Sequence, residues 1–126
     1  MRNKILLVED EEYIRDIYKD ELKSCGFIVD AFETGREALK AFGENNYDLV
    51  ILDIILPDIN GLNILKTIKL DELKKNTPVL LLTNLDEDII IKQGLKLGAA
   101  DYLQKVLTTP DMIVDKIKFI LSANES

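Results

Sequence analysis

The chain has 126 residues, 47% hydrophobic and 31% charged, enough for about one globular domain and unlike a disordered or fibrous composition. Its formal charge of −7 opposes counterion-release binding to nucleic acid, and no Lys/Arg run forms a basic stripe that would override it. Histidine is absent and cysteine occurs once, which excludes His-based catalysis, a Cys/His metal cluster and an internal disulfide.

No apolar run approaches the roughly 18 residues needed to span a bilayer, and MRNKILLVEDEE turns acidic too early for a secretory signal. We therefore expect a cytoplasmic protein without a membrane partner. Along the chain, short apolar runs alternate with longer stretches of helical spacing, the pattern of a parallel sheet wrapped by helices. Lys4–Val8 reads as a buried strand ending at Glu9 and Asp10, followed by a helix over Glu12–Ser24 that Gly26 closes. Cys25 reads as a small buried hydrophobe near that helix end. Phe27–Ala31 alternates more, as an outer strand does, and Thr34-Gly-Arg-Glu37 fits a capping box opening a helix over Gly35–Glu44. Leu49–Leu52 is a second continuous aliphatic run, and it ends in Asp53. Pro57 and Gly61 then turn the chain, and Asn60 caps a helix over Gly61–Glu72. Val79–Leu82 ends at Thr83. Asp86 caps the next helix, Glu87–Leu97, where the interior Gly94 should cost up to about 1 kcal/mol relative to Ala, and Gly98 ends it. The short outer strand Asp101–Gln104 ends at Lys105, and Thr109-Pro110 opens a last helix over Pro110–Ala123. These five β/α units predict a doubly wound α/β fold and fill residues 1–126 as one domain, leaving no room for a second.

In such a sheet the strand C-termini share one edge, and ligands bind in the crevice outside it. Glu9, Asp10, Asp53, Thr83 and Lys105 all fall there. Three carboxylates brought together are costly unless a cation neutralises them, and hard oxygen ligands with room for water and phosphate oxygens suit Mg²⁺. Thr83 offers a hydroxyl and Lys105 an ammonium to the oxygens of a phosphoryl group. The chemistry these residues point to is phosphoryl transfer onto an aspartate. Singly each has a plainer explanation, as a helix N-terminal charge, a turn residue or a solvated lysine; their ordered occurrence at successive strand ends is what carries the reading.

Over nearly its whole length the chain resembles a response-regulator receiver domain. The matching residues are Glu9-Asp10, DIILPDING from Asp53 to Gly61, LLLTN ending at Thr83 and Asn84, and GAADYLQK ending at Lys105. The resemblance implies a flavodoxin-like (βα)5 fold with strand order 2-1-3-4-5. It implies that Asp53 is the phosphoacceptor, that Glu9, Asp10, Asp53 and the backbone carbonyl of Ile55 hold Mg²⁺, and that Lys105 and Thr83 contact the phosphoryl group. Tyr102 matches the aromatic that turns inward when the threonine moves, switching the face of the fourth helix, fifth strand and fifth helix. The implied partners are a sensor histidine kinase or histidine phosphotransfer protein upstream and a protein target downstream. Such a domain is a signalling module and not an enzyme in the metabolic sense.

The sequence departs from the family's usual pattern at Val106, where proline commonly follows the lysine, and at Asn84, where alanine commonly follows the threonine. A trans Lys105–Val106 bond is expected, since a cis bond costs roughly 2.5–4 kcal/mol without proline. Ile55 and Leu85 resemble the two variable positions flanking the attacking water, and both are aliphatic, which predicts a long-lived aspartyl phosphate. A haloacid-dehalogenase-type phosphatase would need a second carboxylate where Ile55 stands, and no phosphate-binding P-loop is present. The alternative that remains is a degenerate receiver acting as a phosphorylation-independent protein-binding module, against which the full set of acids, Thr83 and Lys105 argues.

Overall fold

The computed structural model describes residues 3–84 and 88–124, and these form five parallel strands in the order β2-β1-β3-β4-β5. The strands are β1 (Lys4–Val8), β2 (Ile28–Phe32), β3 (Leu49–Asp53), β4 (Val79–Thr83) and β5 (Asp101–Gln104). Between and after them run α1 (Glu12–Ser24), α2 (Gly35–Glu44), α3 (Gly61–Leu70), α4 (Asp88–Lys96) and α5 (Pro110–Asn124). This is the doubly wound, flavodoxin-like architecture that the sequence predicts.

Side chains alternate across a strand, so each aliphatic run supplies two cores. Ile5 and Leu7 of β1, Leu49 and Ile51 of β3, and Leu80 and Leu82 of β4 pack against Tyr18 and Leu22 of α1 and Ile113 and Ile117 of α5. Leu6, Val8, Val50, Leu52, Val79 and Leu81 face the other way, onto Ala38, Ala41 and Phe42 of α2 and Ile64, Leu65 and Ile68 of α3. The three inner strands are buried on both faces, which is why they lack the polar alternation of a half-exposed sheet.

Several local features depart from the sequence reading. The second strand is shifted one residue later than expected, and α3 stops at Leu70, short of Glu72, where Asp71 turns the chain by accepting from the Leu73 and Lys74 N–H groups. Cys25 is exposed, not buried: it caps α1 outside the helix, and Leu22 fills the buried position instead. Gly94 has a packing reason that propensity alone does not reveal, because a Cβ there would lie 2.4 Å from Leu81 Cδ1. The glycine lets α4 lie directly on β4. The caps at Thr34, Asn60 and Thr109 form as expected, and Gly26 and Gly98 take positive φ. The expected cap Asp86 and helix start Glu87 lie outside the described residues, as does Leu85.

Candidate functional site

The register of the sheet aligns the functional strand ends. Val8 of β1 pairs with Leu52 of β3, Asp53 with Leu82 of β4, and Thr83 with Gln104 of β5. Glu9, Asp53, Thr83 and Lys105 therefore emerge side by side on the C-terminal edge, where the order of strands reverses on either side of β1. They are the only buried polar or charged residues among those described: as whole residues Glu9 is 0% exposed, Thr83 1%, Asp53 4% and Lys105 8%. Asp10 is exposed beside them, and one carboxylate oxygen from each of Glu9, Asp10 and Asp53 lies within 4.8 Å of the others.

Lys105 Nζ donates to Asp53 Oδ2 at 2.8 Å and forms an ion pair with Glu9 Oε1, while Glu11 Oε1 lies 3.7 Å away at the rim. The other oxygen of Asp53 accepts from the Ile55 N–H at 3.1 Å, and Glu9 Oε2 accepts from the Glu11 N–H at 3.2 Å. Both carboxylates are thus oriented by backbone from the loop that follows their strand. Glu9 Oε1 is buried and has the Lys105 ammonium as its ionic partner, with no further donor on it.

Burial dominates the protonation of the cluster. It pushes the Glu9 carboxyl up to about 7, with the charge of Asp53 adding and the ammonium of Lys105 opposing. It raises Asp53 as well, against Lys105 and the Ile55 N–H. At Lys105 burial acts downward, but the hydrogen bonds and charges of Asp53 and Glu9 outweigh it, so the ammonium is held charged above its ordinary range. One buried cation among three acids is an electrostatic deficit. Three carboxylates, each offering an oxygen within 4.8 Å of the others, fit a divalent cation with hard oxygen preference.

The structure brings together every strand-end residue singled out from the sequence. Tyr102 is half-buried on β5 and packs against the core on the α2 and α3 side. Lys105 begins a single 3₁₀ turn, Lys105–Leu107, and no cis peptide bond occurs among the described residues, in keeping with the trans expectation at Val106. Three contributors went unnoticed in the sequence. Glu11 adds a rim carboxylate. Arg15 donates to the carbonyls of Glu9 at 2.9 Å and Asp10 at 3.3 Å, bracing the loop after β1. Asp58 reaches from the loop after β3 to the start of α2. The spacing of Arg15 along the first helix was a usable signal; the partner of Asp58 was not, being over twenty residues distant.

Comparison with known proteins supports the same assignment. Residues 5–118 match the family described as response regulator receiver domain. The chain is 36% identical over 125 residues to the alkaline phosphatase synthesis transcriptional regulatory protein PhoP of Bacillus subtilis, covering 99% of this chain and 51% of that protein. It is 35% identical over 126 residues to the transcriptional regulatory protein SrrA of Staphylococcus aureus, covering 100% of this chain and 51% of that protein. The chain thus spans about half the length of these curated relatives. Among solved structures, a CheY-like response regulator receiver domain protein from Methanospirillum hungatei superposes with a TM-score of 0.92 at 27% identity, covering 99% of this chain and 98% of that one. The BeF₃-activated DrrB receiver domain superposes with a TM-score of 0.86 at 34% identity, covering 97% and 99% respectively. No helix among the described residues is long and apolar enough to cross a membrane. With its sheet order, its buried acid and lysine cluster and these relatives in agreement, the chain belongs to the response regulator receiver domain family of two-component signalling.

Proposed function

We propose that Asp53 is the phosphoacceptor and that it takes its phosphoryl group from a phosphohistidine on a sensor histidine kinase or histidine phosphotransfer protein. A carboxylate oxygen of Asp53 forms the new O–P bond as the N–P bond of the donor breaks. The bonding pair returns to the donor imidazole, which takes up a proton. Lys105, now beside Asp53 Oδ2, supplies positive charge to the transferring oxygens, and Thr83 at the adjacent strand end supplies a hydroxyl. Glu9, Asp10, Asp53 and the carbonyl of Ile55 would hold Mg²⁺, which when bound neutralises charge developing on the phosphoryl oxygens. The observation that carries this reading is the buried Lys105 ammonium hydrogen-bonded to Asp53 within a cluster of three carboxylates.

Phosphorylation then acts as a two-state shift, with Thr83 drawn toward the phosphoryl group and Tyr102 moving into the vacated space, altering the face of α4, β5 and α5 for a downstream protein. Mass spectrometry after treatment with a small acyl phosphate and Mg²⁺ tests the acceptor. One added phosphoryl is expected, absent in Asp53→Asn and on chelation. Persistence of the adduct in Asp53→Asn would refute the assignment. Absence of any adduct in the parent protein would favour the phosphorylation-independent binding module.

A further inference from the structure

The loop between β3 and α3, residues 54–60, carries Ile55, whose N–H orients Asp53 at 3.1 Å. Ile55 itself is exposed, so its own side chain does not hold the peptide in place. Leu56 and Ile59 pack partly into the core, but apolar contacts are not directional. Directional anchoring comes at three points: at the loop's start the Ile54 N–H donates to the Leu82 carbonyl at 3.2 Å. At its end, the Gly61 N–H donates to the Ile54 carbonyl at 2.7 Å, and a Cβ at Gly61 would stand 2.2 Å from the Asp53 carbonyl oxygen. In its middle, Asp58 spans to α2: Oδ1 accepts from the Gly35 N–H at 2.8 Å and Oδ2 from the Arg36 N–H at 3.0 Å.

These two N–H groups have no partner within their own helix, and a carboxylate there meets the positive end of the helix dipole. The bonds hold the Asp58 carboxyl below its ordinary range. Thr34 satisfies the next group, accepting from the Glu37 N–H at 3.3 Å, so the first turn of α2 is shared between a local cap and a distant one. Gly35 permits the approach, since a Cβ at that position would sit 3.1 Å from Ile59 Cβ and 3.4 Å from Asp58 Oδ1.

We propose that Asp58 is a positioning residue for the phosphoacceptor: it ties the 54–60 loop to the first turn of α2 and thereby fixes the Ile55 peptide, and with it the Asp53 carboxylate. This rests on the reading of Asp53 and Ile55 given above. Its consequence is that α2, which supplies no residue to the site, bears on the geometry of cation binding, with Asp58 as its hydrogen-bonded link to the loop.

The test is a Mg²⁺ titration followed by amide resonances in the parent, Asp58→Ala, Asp58→Asn and Thr34→Ala proteins, paired with thermal unfolding. Thr34→Ala weakens the same helix start without touching the loop. Asp58→Ala should weaken Mg²⁺ binding about 10-fold, the usual scale for losing a residue that orients a metal ligand. Asp58→Asn keeps an acceptor without the charge and should lie between, which preserves the test if the alanine variant does not fold. Thr34→Ala should lower the unfolding temperature while leaving Mg²⁺ affinity at the parent value. Parent affinity in both Asp58 variants, or an equal loss in Thr34→Ala, would overturn the positioning role. Failure of the parent itself to bind Mg²⁺ would instead overturn the reading of the site, and this inference with it.

Discussion

Replacing Lys105 by Met tests the electrostatics of the site independently of any phosphoryl donor. The side chains of Lys105, Glu9 and Asp53 are 4%, 0% and 5% exposed, so the substitution leaves two buried carboxylates without their cation. Breaking a buried pair by removing one partner typically costs about 3–5 kcal/mol. Proton uptake limits the loss, because neutralising a carboxylate costs only about 1.4 kcal/mol per pH unit above its pKa. Glu9 in the folded protein titrates near 7, against an ordinary value of 4.5. The folded state therefore binds more protons than the unfolded state between these values. The stability associated with Glu9 is fully present below 4.5 and is lost as pH rises through 7. Removing Lys105 raises the folded pKa further, extending that loss to higher pH. We expect Lys105→Met to cost about 3 kcal/mol at pH 8 and about 1 kcal/mol at pH 5.5, where Glu9 already carries a proton in both proteins. Urea unfolding followed by circular dichroism at the two pH values measures both. Millimolar Mg²⁺ at pH 8 should narrow the gap by replacing the lost charge. An equal loss at the two pH values would refute the reasoning, since it would mean the cost does not come from the charge of Glu9.

Gly94→Ala separates helix propensity from packing: propensity favours Ala by up to about 1 kcal/mol, but overlap with Leu81 should reverse the sign to a net loss of about 1 kcal/mol or more in urea unfolding. A gain in stability would show that α4 lifts from β4 at little cost. Thr83→Ala should still accept fluoroberyllate at Asp53, yet transmit less of the resulting change to α4, β5 and α5; unchanged amide shifts on that face would refute the switch. Ile55→Asn, and separately Leu85→Glu, should each speed hydrolysis of the aspartyl phosphate by giving water a hydrogen-bonding partner, which decay of the phosphorylated protein measures. Decay no faster than the parent's in either would count against shielding by these aliphatic side chains.

The class of fold and the strand-end residues were legible in the order of residues along the chain, because both are local. Two-sided burial demands unbroken aliphatic runs such as ILLV, LVIL and VLLL, helices demand their own period, and each run's last residue marks the sheet edge. Caps such as Thr34 with Glu37 and Asn60 with Leu62 were legible for the same reason, their partners lying within three residues. Tertiary structure decided what depends on distant neighbours. Composition could not expose the close seat of Gly94 on Leu81, and the helix period could not show that Leu22 is buried while Cys25 faces solvent. Nor could one position predict that burial raises Glu9 to about 7, since desolvation is set by everything packed around a group. Asp58 makes the point most directly: in the chain it is one more turn acid after proline, and only the approach of α2 across the sheet edge gives its two oxygens the N–H groups of Gly35 and Arg36.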